Sequence, residues 1–231
     1  MTRLLNGIVA FGSVLLLAVT LIGAGFAAVA IPDAATATLS RALSGCDQPK
    51  TPFTADELAS MAIAGKHYTF DDNDREKLDA AIAKANAATE ANGRTNALSR
   101  ESAARTLPAD AISHLDDVYR AASVAKPALV IVAVLCIAGL AHVAVRISRR
   151  ALGCTFMAGG GLVLATFCAL GAWAAIDFDG LFAAFHSLFF QAGTWTFPYD
   201  SLLITLYPTA FWMGMGGIWL AVTCIASIIC I

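Results

Sequence analysis

Four long apolar runs, each free of Asp, Glu, Lys and Arg, dominate the pattern of this chain. They extend over Leu4–Pro32, Pro127–Val145, Ala151–Ile176 and Ser201–Ile231. Because a helix needs about 20 apolar residues to cross a hydrocarbon core of about 30 Å, each run is long enough to span a membrane. The pattern therefore predicts an all-α membrane protein with four transmembrane helices. We place them at residues 1–32, 127–147, 152–176 and 207–231, with a cytoplasmic turn at 148–151.

The first run has an alternative interpretation as a cleaved signal peptide. Its apolar part is longer than the 7–15 residues typical of such a peptide, which favours an uncleaved span. Composition agrees with a membrane protein, because 58% of the 231 residues are hydrophobic and only 14% are charged. These values argue against an ordinary soluble enzyme and against a disordered chain. The net charge of −2 shows no excess of basic residues, which a nucleic-acid-binding protein would usually have.

Basic residues near the span ends predict the orientation of the chain. Arg3 precedes the first span, and Arg146, Arg149 and Arg150 lie between the second and third. Since such residues concentrate on the cytoplasmic side, we expect cytoplasmic N- and C-termini. Residues 33–126 and 177–206 are then extracytoplasmic. All 17 acidic residues fall in these two segments, which carry a net −6, whereas the inner side carries +4.

Residues 33–126 are expected to form a helical extracytoplasmic domain. Thr54–Glu57 fits a capping box, a second helix is predicted from the acidic cluster Asp71–Asp74 to about Ala91, and a third follows Pro108. The polar stretch from Asn92 to Arg105 is predicted as a loop. A calcium site at the acidic cluster is disfavoured, because the glycine at loop position six and the distal glutamate are missing.

Cysteine usage points away from disulfides and zinc. Five of the six cysteines lie in the predicted spans, and only Cys46 lies outside them. Leu43–Cys46 resembles a lipobox, but it is separated from the apolar run by Asp33, Arg41 and other residues, so we interpret Cys46 as a loop cysteine. No cysteine or histidine spacing suggests a zinc site, and we expect neither metal nor cofactor.

The connection between spans three and four is unusually aromatic. An apolar stripe is predicted on a helix made by Leu181, Phe182, Phe185, Phe189 and Phe190, followed by Trp195, Phe197 and Tyr199. Because aromatic side chains concentrate at membrane interfaces, we expect an amphipathic interfacial helix between the two spans. The glycine run at 159–161 is interpreted as a close helix contact within span three.

Two histidines are candidates for chemistry. His114 has Asp110 and Asp117 beside it on the predicted third helix, and His186 lies within the aromatic stripe. Each has a structural interpretation, His114 as a solvated surface group and His186 as a packed ring bonded to a carbonyl. A neutral imidazole at the membrane interface could instead act as a base on a lipid-linked group. His67 and His142 are weaker candidates, and no GxSxG, Walker or HExxH motif is present.

The two histidine segments together resemble a bacterial integral-membrane family that includes the lipoprotein intramolecular transacylases. The likeness is carried by the order of spans, by Ile112–Val118, by Phe185–Phe190, and by the segment from Trp195 through Ile204 to Pro208. The resemblance implies that His114 and His186 are a catalytic pair. It implies an acyltransferase that moves an acyl chain from the diacylglyceryl group of a lipoprotein's N-terminal cysteine to the α-amine of that cysteine. The partners would be diacylated lipoproteins and membrane lipid, with no metal, nucleotide or nucleic acid involved.

Four further residues are supporting candidates for such a site. Asp117 or Asp200 could orient a histidine, and Tyr199 or Tyr207 could donate a hydrogen bond to the developing oxyanion. The alternatives are helix capping for the acids and interface anchoring for the tyrosines. Two other functions stay open at this point: a non-catalytic membrane protein with a partner-binding outer domain, and a lipid ester hydrolase.

Overall fold

The computed structural model describes residues 2–47, 51–94 and 102–231, and within these ranges the chain is helical, without β-strands. In chain order the helices are α1 Thr2–Ala30, α2 Asp33–Leu43, α3 Ala55–Phe70, α4 Arg75–Ala91, α5 Ser102–Arg105, α6 Ala109–His142, α7 Arg149–Ile176, α8 Phe178–Ser187, α9 Leu202–Leu206 and α10 Thr209–Ile229. A π-helical turn, Val143–Ile147, continues α6. Ser148 then caps α7 by accepting a hydrogen bond from the backbone N–H of Ala151 at 3.0 Å.

Four of these helices are long and apolar enough to cross a membrane. They are Arg3–Ala30, Ala109–Ile147, Arg149–Ile176 and Thr209–Ile229. The chain is therefore an all-α, multi-pass membrane protein, as its apolar runs predict. It divides into two compact units, which we call the membrane unit (Met1–Val29, Val124–Leu181 and Gly217–Ile231) and the site unit (Ala30–Ser123 and Phe182–Gly216).

Small residues set the helix contacts within the membrane unit. A Cβ added at Gly159 would approach the Leu17 side chain to 2.8 Å, and one at Gly160 would approach the Ser227 carbonyl to 2.7 Å. These contacts bring α7 close to α1 and to α10. Since lipid offers no hydrophobic drive for helix association, such close backbone approach supplies much of the packing energy. The packing role predicted for this glycine run is confirmed at these two positions, whereas Gly161 has open space around it.

The site unit has its own apolar core. It is formed by α3, α4, α9 and the first turns of α6, together with two flanking segments, and it comprises Phe53, Leu58, Met61, Tyr68, Leu78, Ile82, Ala85, Leu107, Ala111, Ile112, Leu115, Leu202, Leu203 and Leu206. The predicted capping box is confirmed, since Thr54 and Glu57 bond each other's backbone N–H. Asp74 caps α4 by accepting from the N–H groups of Glu76 and Lys77, so the acidic cluster serves helix initiation.

One charged side chain is buried between α2 and α3 of this unit. Lys66 is 8% exposed, and its Nζ donates to the Ile31 carbonyl at 2.7 Å and to Asp33 at 2.5 Å. These bonds lower the pKa of the Asp33 carboxyl, with the hydrogen bond from Lys66 as the first cause. A buried ammonium must be paired and hydrogen bonded to be tolerated, so Lys66 fixes α2 against α3 at this point.

The structure departs from the sequence predictions in several places. Helix α2 was not expected, although Asp33 in its first turn and Arg41 in its last match the helix dipole. Residues 102–105 form α5 rather than part of a loop, while 95–101 lie outside the described residues. The helix predicted after Pro108 and the second apolar run are one helix, with Pro127 in its interior. Helix α9 is not predicted either, and it ends before α10 because Pro208 holds the preceding residue, Tyr207, out of the helical region (ψ 62°).

The helix in the aromatic connection is shorter than the stripe predicts. Helix α8 ends at Ser187, and Phe189 and Phe190 follow in a turn whose N–H groups donate to the His186 carbonyl at 3.1 and 2.9 Å. A second turn closes between Gln191 and Thr194. Gly193 has a φ of +85° there, a conformation that side-chain-bearing residues rarely adopt. The chain therefore folds back after α8 instead of continuing along its axis.

Candidate functional site

His114 and His186 lie together in the site unit although 72 residues separate them in sequence. Their ring centroids are 6.1 Å apart, and the ring planes differ by 28°. At this distance the two rings can flank one small bound group. The structure therefore brings together the two histidines that the sequence singles out.

The core of the site unit positions His114. The residue lies in the second turn of α6, where its neighbours Ala111, Ile112 and Leu115 are all buried. His114 itself is only 8% exposed, so it is not the solvated surface group of the alternative interpretation. Its Nδ1 atom is buried and has no hydrogen-bond partner among the described residues. Buried ring nitrogens normally find a partner, which makes this atom unusual.

His186 is half-buried at the end of α8, and its tautomer is fixed by a backbone bond. Nδ1 lies 2.9 Å from the carbonyl oxygen of Phe182, one turn earlier. Because a carbonyl oxygen only accepts, Nδ1 carries the proton, and in the neutral ring the lone pair is on Nε2. Burial lowers the pKa of His186 from its ordinary value, while the bond to Phe182 opposes that shift. The ring is thus kept neutral, with Nε2 as its basic atom.

Aromatic rings surround the two imidazoles. His186 contacts Phe182 and Trp195 at centroid distances of 4.0 and 4.8 Å, and His114 contacts Phe190 and Phe197 at 5.0 and 5.6 Å. We call these six residues the histidine site: His114, Phe182, His186, Phe190, Trp195 and Phe197. The turn at Gly193 is what returns Trp195 to the face of His186.

The aromatic members were not predicted as site residues. The sequence identifies Phe182 and Phe190 only as an apolar helix face and places Trp195 and Phe197 among interface aromatics. Their density within 182–197 was the available signal. What the sequence does not contain is the reversal of the chain after α8, which converts a linear stripe into a ring around His186.

The structure does not place the supporting acids on the histidines. Asp117 accepts a hydrogen bond from Arg120 at 2.8 Å, three residues away on α6. Asp200 is exposed in the segment before α9. Among the described residues, neither carboxylate has a hydrogen bond to His114 or His186. Asp110 bonds the N–H of Ala111 at 2.9 Å, which is a helix-start contact.

The two tyrosine hydroxyls are engaged by backbone carbonyls. Tyr199 donates to the carbonyl of Asp47 at 2.7 Å, and Tyr207 donates to that of Ala62 at 2.6 Å. Burial raises the pKa of Tyr207 above its ordinary value, so the hydroxyl stays a protonated donor to α3. Both side chains therefore tie the segment before α10 to other parts of the site unit.

Replacing Tyr207 by phenylalanine should lower stability and leave any activity of the histidine site nearly unchanged. The variant loses one buried hydrogen bond, which contributes about 1 kcal/mol. We expect a decrease of about 2–4 °C in Tm in detergent and a kcat within about twofold of the wild type. Thermal unfolding and single-substrate kinetics on the same preparation test this. A tenfold lower kcat at an unchanged Tm would instead place the hydroxyl in the reaction.

The other two histidines have different partners. His67 Nε2 lies 2.9 Å from Asp33 in the site unit. His142 Nε2 lies 3.2 Å from the Asn6 side chain in the membrane unit. Neither belongs to the histidine site. The described part of the chain also contains no group of three or more His, Cys, Asp or Glu side chains able to hold a metal ion.

Comparisons with known proteins agree with this architecture. Residues 79–212 match the sequence model of the family described as lipoprotein intramolecular transacylase Lit. The in meso structure of the membrane integral lipoprotein intramolecular transacylase Lit from Bacillus cereus has a TM-score of 0.74 at 17% identity, over 98% of this chain and 92% of that one. A variant of the same protein with one histidine replaced by alanine gives 0.68 at 16% identity, over 99% and 91%. No curated protein sequence matches the chain.

The structural likeness shows the fold, and the sequence match carries the assignment. The matched segment includes α6 with His114, α8 with His186, and the aromatic turn between α8 and α9. It covers more than half of the chain. The chain therefore belongs to the Lit family of membrane-integral lipoprotein intramolecular transacylases.

Proposed function

We propose that the histidine site transfers one acyl chain from the diacylglyceryl group of a lipoprotein's N-terminal cysteine to the α-amine of the same residue. The product is a lyso-form lipoprotein with an N-acyl chain and a single O-acyl chain. The observation that carries this proposal is the pair of imidazoles 6.1 Å apart, one of which has its basic nitrogen fixed. Because the substrate contains both nucleophile and ester, positioning supplies a large part of the rate.

His186 is the base in this scheme. An α-amine has a pKa near 8, and its nitrogen must lose a proton as the new C–N bond forms. Nε2 of His186 can accept that proton, because Nδ1 is already protonated and bonded to Phe182. The lowered pKa of His186 keeps the ring neutral at neutral pH. It is therefore ready to accept a proton when the substrate binds.

His114 serves the leaving group. As the tetrahedral intermediate collapses, the bond between the acyl carbon and the glycerol oxygen breaks, and that oxygen must take up a proton. We propose that the proton accepted by His186 reaches the glycerol oxygen through His114. The overall reaction moves one proton from nitrogen to oxygen and consumes no water. The apolar rings around both imidazoles support this outcome, since water in the site would hydrolyse the ester.

The orientation that fits this function has cytoplasmic termini and places both histidines outside. Arg3, Arg146, Arg149 and Arg150 support it, because basic residues next to spans favour the cytoplasmic side. Helix α8, with Phe185 48% exposed and Leu188 after it 77% exposed, would then lie at the outer interface. Diacylated lipoproteins and membrane lipid are the partners that such a site would meet.

The product of the reaction has a linkage that can be counted directly. We would express the protein in a host that makes diacylated lipoproteins and lacks any other N-acyltransferase, then isolate a lipoprotein's N-terminal peptide. Transfer within one molecule leaves the peptide mass unchanged, so mass alone does not detect it. Mild alkali cleaves ester-linked chains and leaves amide-linked chains in place. Mass spectrometry after alkali therefore separates substrate from product.

One acyl chain should survive alkali in cells with the protein, and none in cells with the empty vector. If no chain survives while the protein is well expressed, the proposal is wrong. If one chain is already missing before alkali and free fatty acid accumulates, the protein is an ester hydrolase. Both of these outcomes exclude the transfer reaction.

A further inference from the structure

Unsatisfied buried polar atoms are concentrated at the histidine site. Among the described residues, five buried side-chain nitrogen or oxygen atoms have no hydrogen-bond partner, and two of them belong to this site: Nδ1 of His114 and Nε1 of Trp195. The other three are hydroxyl oxygens of Ser40, Thr89 and Thr223. A buried polar group without a partner has lost its bonds to water and gained none in return, which destabilises the fold. Two such groups at one small site therefore call for an explanation in terms of what the site binds.

Of the two nitrogens, the indole N–H has the more restricted chemistry. An imidazole nitrogen can donate or accept according to its tautomer, whereas Trp Nε1–H is a donor only. The group that satisfies Trp195 must therefore be an acceptor. Trp219 shows the usual arrangement in this chain, since its Nε1 donates to the Ile22 carbonyl at 3.1 Å.

The position of Trp195 identifies the acceptor. Its ring lies 4.8 Å from that of His186, with 34° between the planes, so the indole packs against the ring of the proposed base. The substrate atom that needs a donor there is the carbonyl oxygen of the ester under attack. That oxygen becomes negative when the C–N bond forms and returns to a carbonyl when the C–O bond breaks. A donor that strengthens only in this intermediate lowers the barrier.

We propose that the Nε1–H of Trp195 donates a hydrogen bond to the acyl carbonyl oxygen and stabilises the oxyanion of the transacylation intermediate. The inference rests on the proposed function of the histidine site. Trp195 gives up no proton in this role, and proton transfer from the amine to the glycerol oxygen remains with the two histidines. The rings of Phe182 and His186 lie against the indole at centroid distances of 6.4 and 4.8 Å. Both side chains are only half-buried, so in this proposal the substrate displaces them to reach the N–H.

The sharpest variant is Trp195→Phe, which keeps an aromatic ring against His186 and removes the N–H. The assay is conversion of a purified synthetic diacylglyceryl-cysteine peptide in detergent micelles, scored by the chain that resists alkali. Removing one oxyanion donor typically lowers kcat about 10²–10³-fold. We expect a loss in this range with KM changed less than about threefold. The pH dependence of the residual activity should match that of the wild type, because no titrating group has been removed.

Trp219→Phe is the matched control, because it removes an indole N–H outside the histidine site. Its bond to Ile22 is lost, so its Tm should fall, but its kcat should stay within about twofold of the wild type. The Tm of Trp195→Phe should fall less than that of Trp219→Phe, since no hydrogen bond is lost there. If Trp195→Phe retains kcat within threefold, the inference is wrong. If its kcat falls only in proportion to a fall in folded protein, the role is structural and the inference is also wrong.

A binding measurement tests the same role without turnover. A phosphonate analogue of the diacylglyceryl peptide places charged oxygens where the intermediate carries its oxyanion, whereas an ether analogue has no carbonyl oxygen. We expect Trp195→Phe to weaken binding of the phosphonate at least tenfold and to leave binding of the ether unchanged. Equal weakening of both would exclude a specific oxyanion contact. If the wild-type protein does not transacylate the peptide, the proposed function itself is wrong. If the wild type is active and Trp195→Phe is equally active, only the role of Trp195 is wrong.

Discussion

His186→Gln and His114→Gln should each lower the rate of N-acylation by about 10²–10⁴-fold, the range expected for loss of general acid–base catalysis. Glutamine has nearly the size of histidine and can donate hydrogen bonds, but it does not exchange protons at neutral pH. The effect on His186→Gln should be in kcat, because the lost interaction with the amine proton arises during the reaction. The measurement is single-turnover conversion of a diacylglyceryl peptide, scored by the alkali-resistant chain.

The matched control for both variants is His67→Gln. His67 is also in the site unit, but its ring is 45% exposed and bonds Asp33 rather than the histidine site. We expect its activity to stay within about twofold of the wild type. His114 is buried, so its variant needs a thermal-unfolding curve beside the kinetics. Full activity in a folded His186→Gln protein would remove the base from the mechanism and contradict the proposal.

The slope of log kcat/KM against pH should change at a pH below 6.5, where His186 becomes protonated. For free enzyme and free substrate, protonation of the α-amine, with a pKa near 8, lowers kcat/KM tenfold for each unit of pH. The pKa of His186 is lowered from 6.5 by burial, so the base is still neutral between pH 8 and 6.5. The logarithm of kcat/KM should therefore fall with a slope of about one in this interval. Below the pKa of His186 the slope should increase to about two.

This sign follows from which form each group must have. Both the amine and His186 act when neutral, so protonation of either group lowers kcat/KM. Because the pKa of the histidine is lowered, its protonation affects kcat/KM only at lower pH. Rates measured from pH 8.5 to 5.5, with activity recovered after return to pH 7.5, test the prediction. A change of slope at or above pH 6.5 would mean that burial does not lower the pKa of His186, contrary to what the structure indicates.

The membrane architecture could be predicted from the sequence because its signal is local. The length and hydropathy of each apolar run indicate by themselves that it can lie in a membrane. The capping box and the Asp74 cap likewise depend only on residues within one turn. The histidine pair could be predicted only through two segments of a known family, since nothing local in Ile112–Val118 refers to α8. Helix α9 lies in the connection before the fourth predicted span, and its five residues are too few to show a helical period.

The geometry of the site could not be predicted, because it depends on where the chain reverses. The lock on the His186 tautomer needs the Phe182 carbonyl at the end of α8, and the approach of Trp195 needs the turn at Gly193. The interactions of Tyr207, Tyr199 and Asp117 also depend on three-dimensional neighbours. In the sequence these residues are plausible ligands of a site, whereas in the structure their polar atoms are bonded elsewhere.

The two unpartnered nitrogens of the histidine site also bear on how sequences of this kind can change. Because His114 Nδ1 and Trp195 Nε1 have no partners, the free energy of unfolding is lower than it would be for the same fold without these two unpaired groups. Substitutions that replace either ring with an apolar one remove that cost, so they should be favoured wherever only folding is under selection. If both rings are retained in a sequence, selection for activity is the explanation. Selection of variants for higher Tm alone should replace these two side chains early.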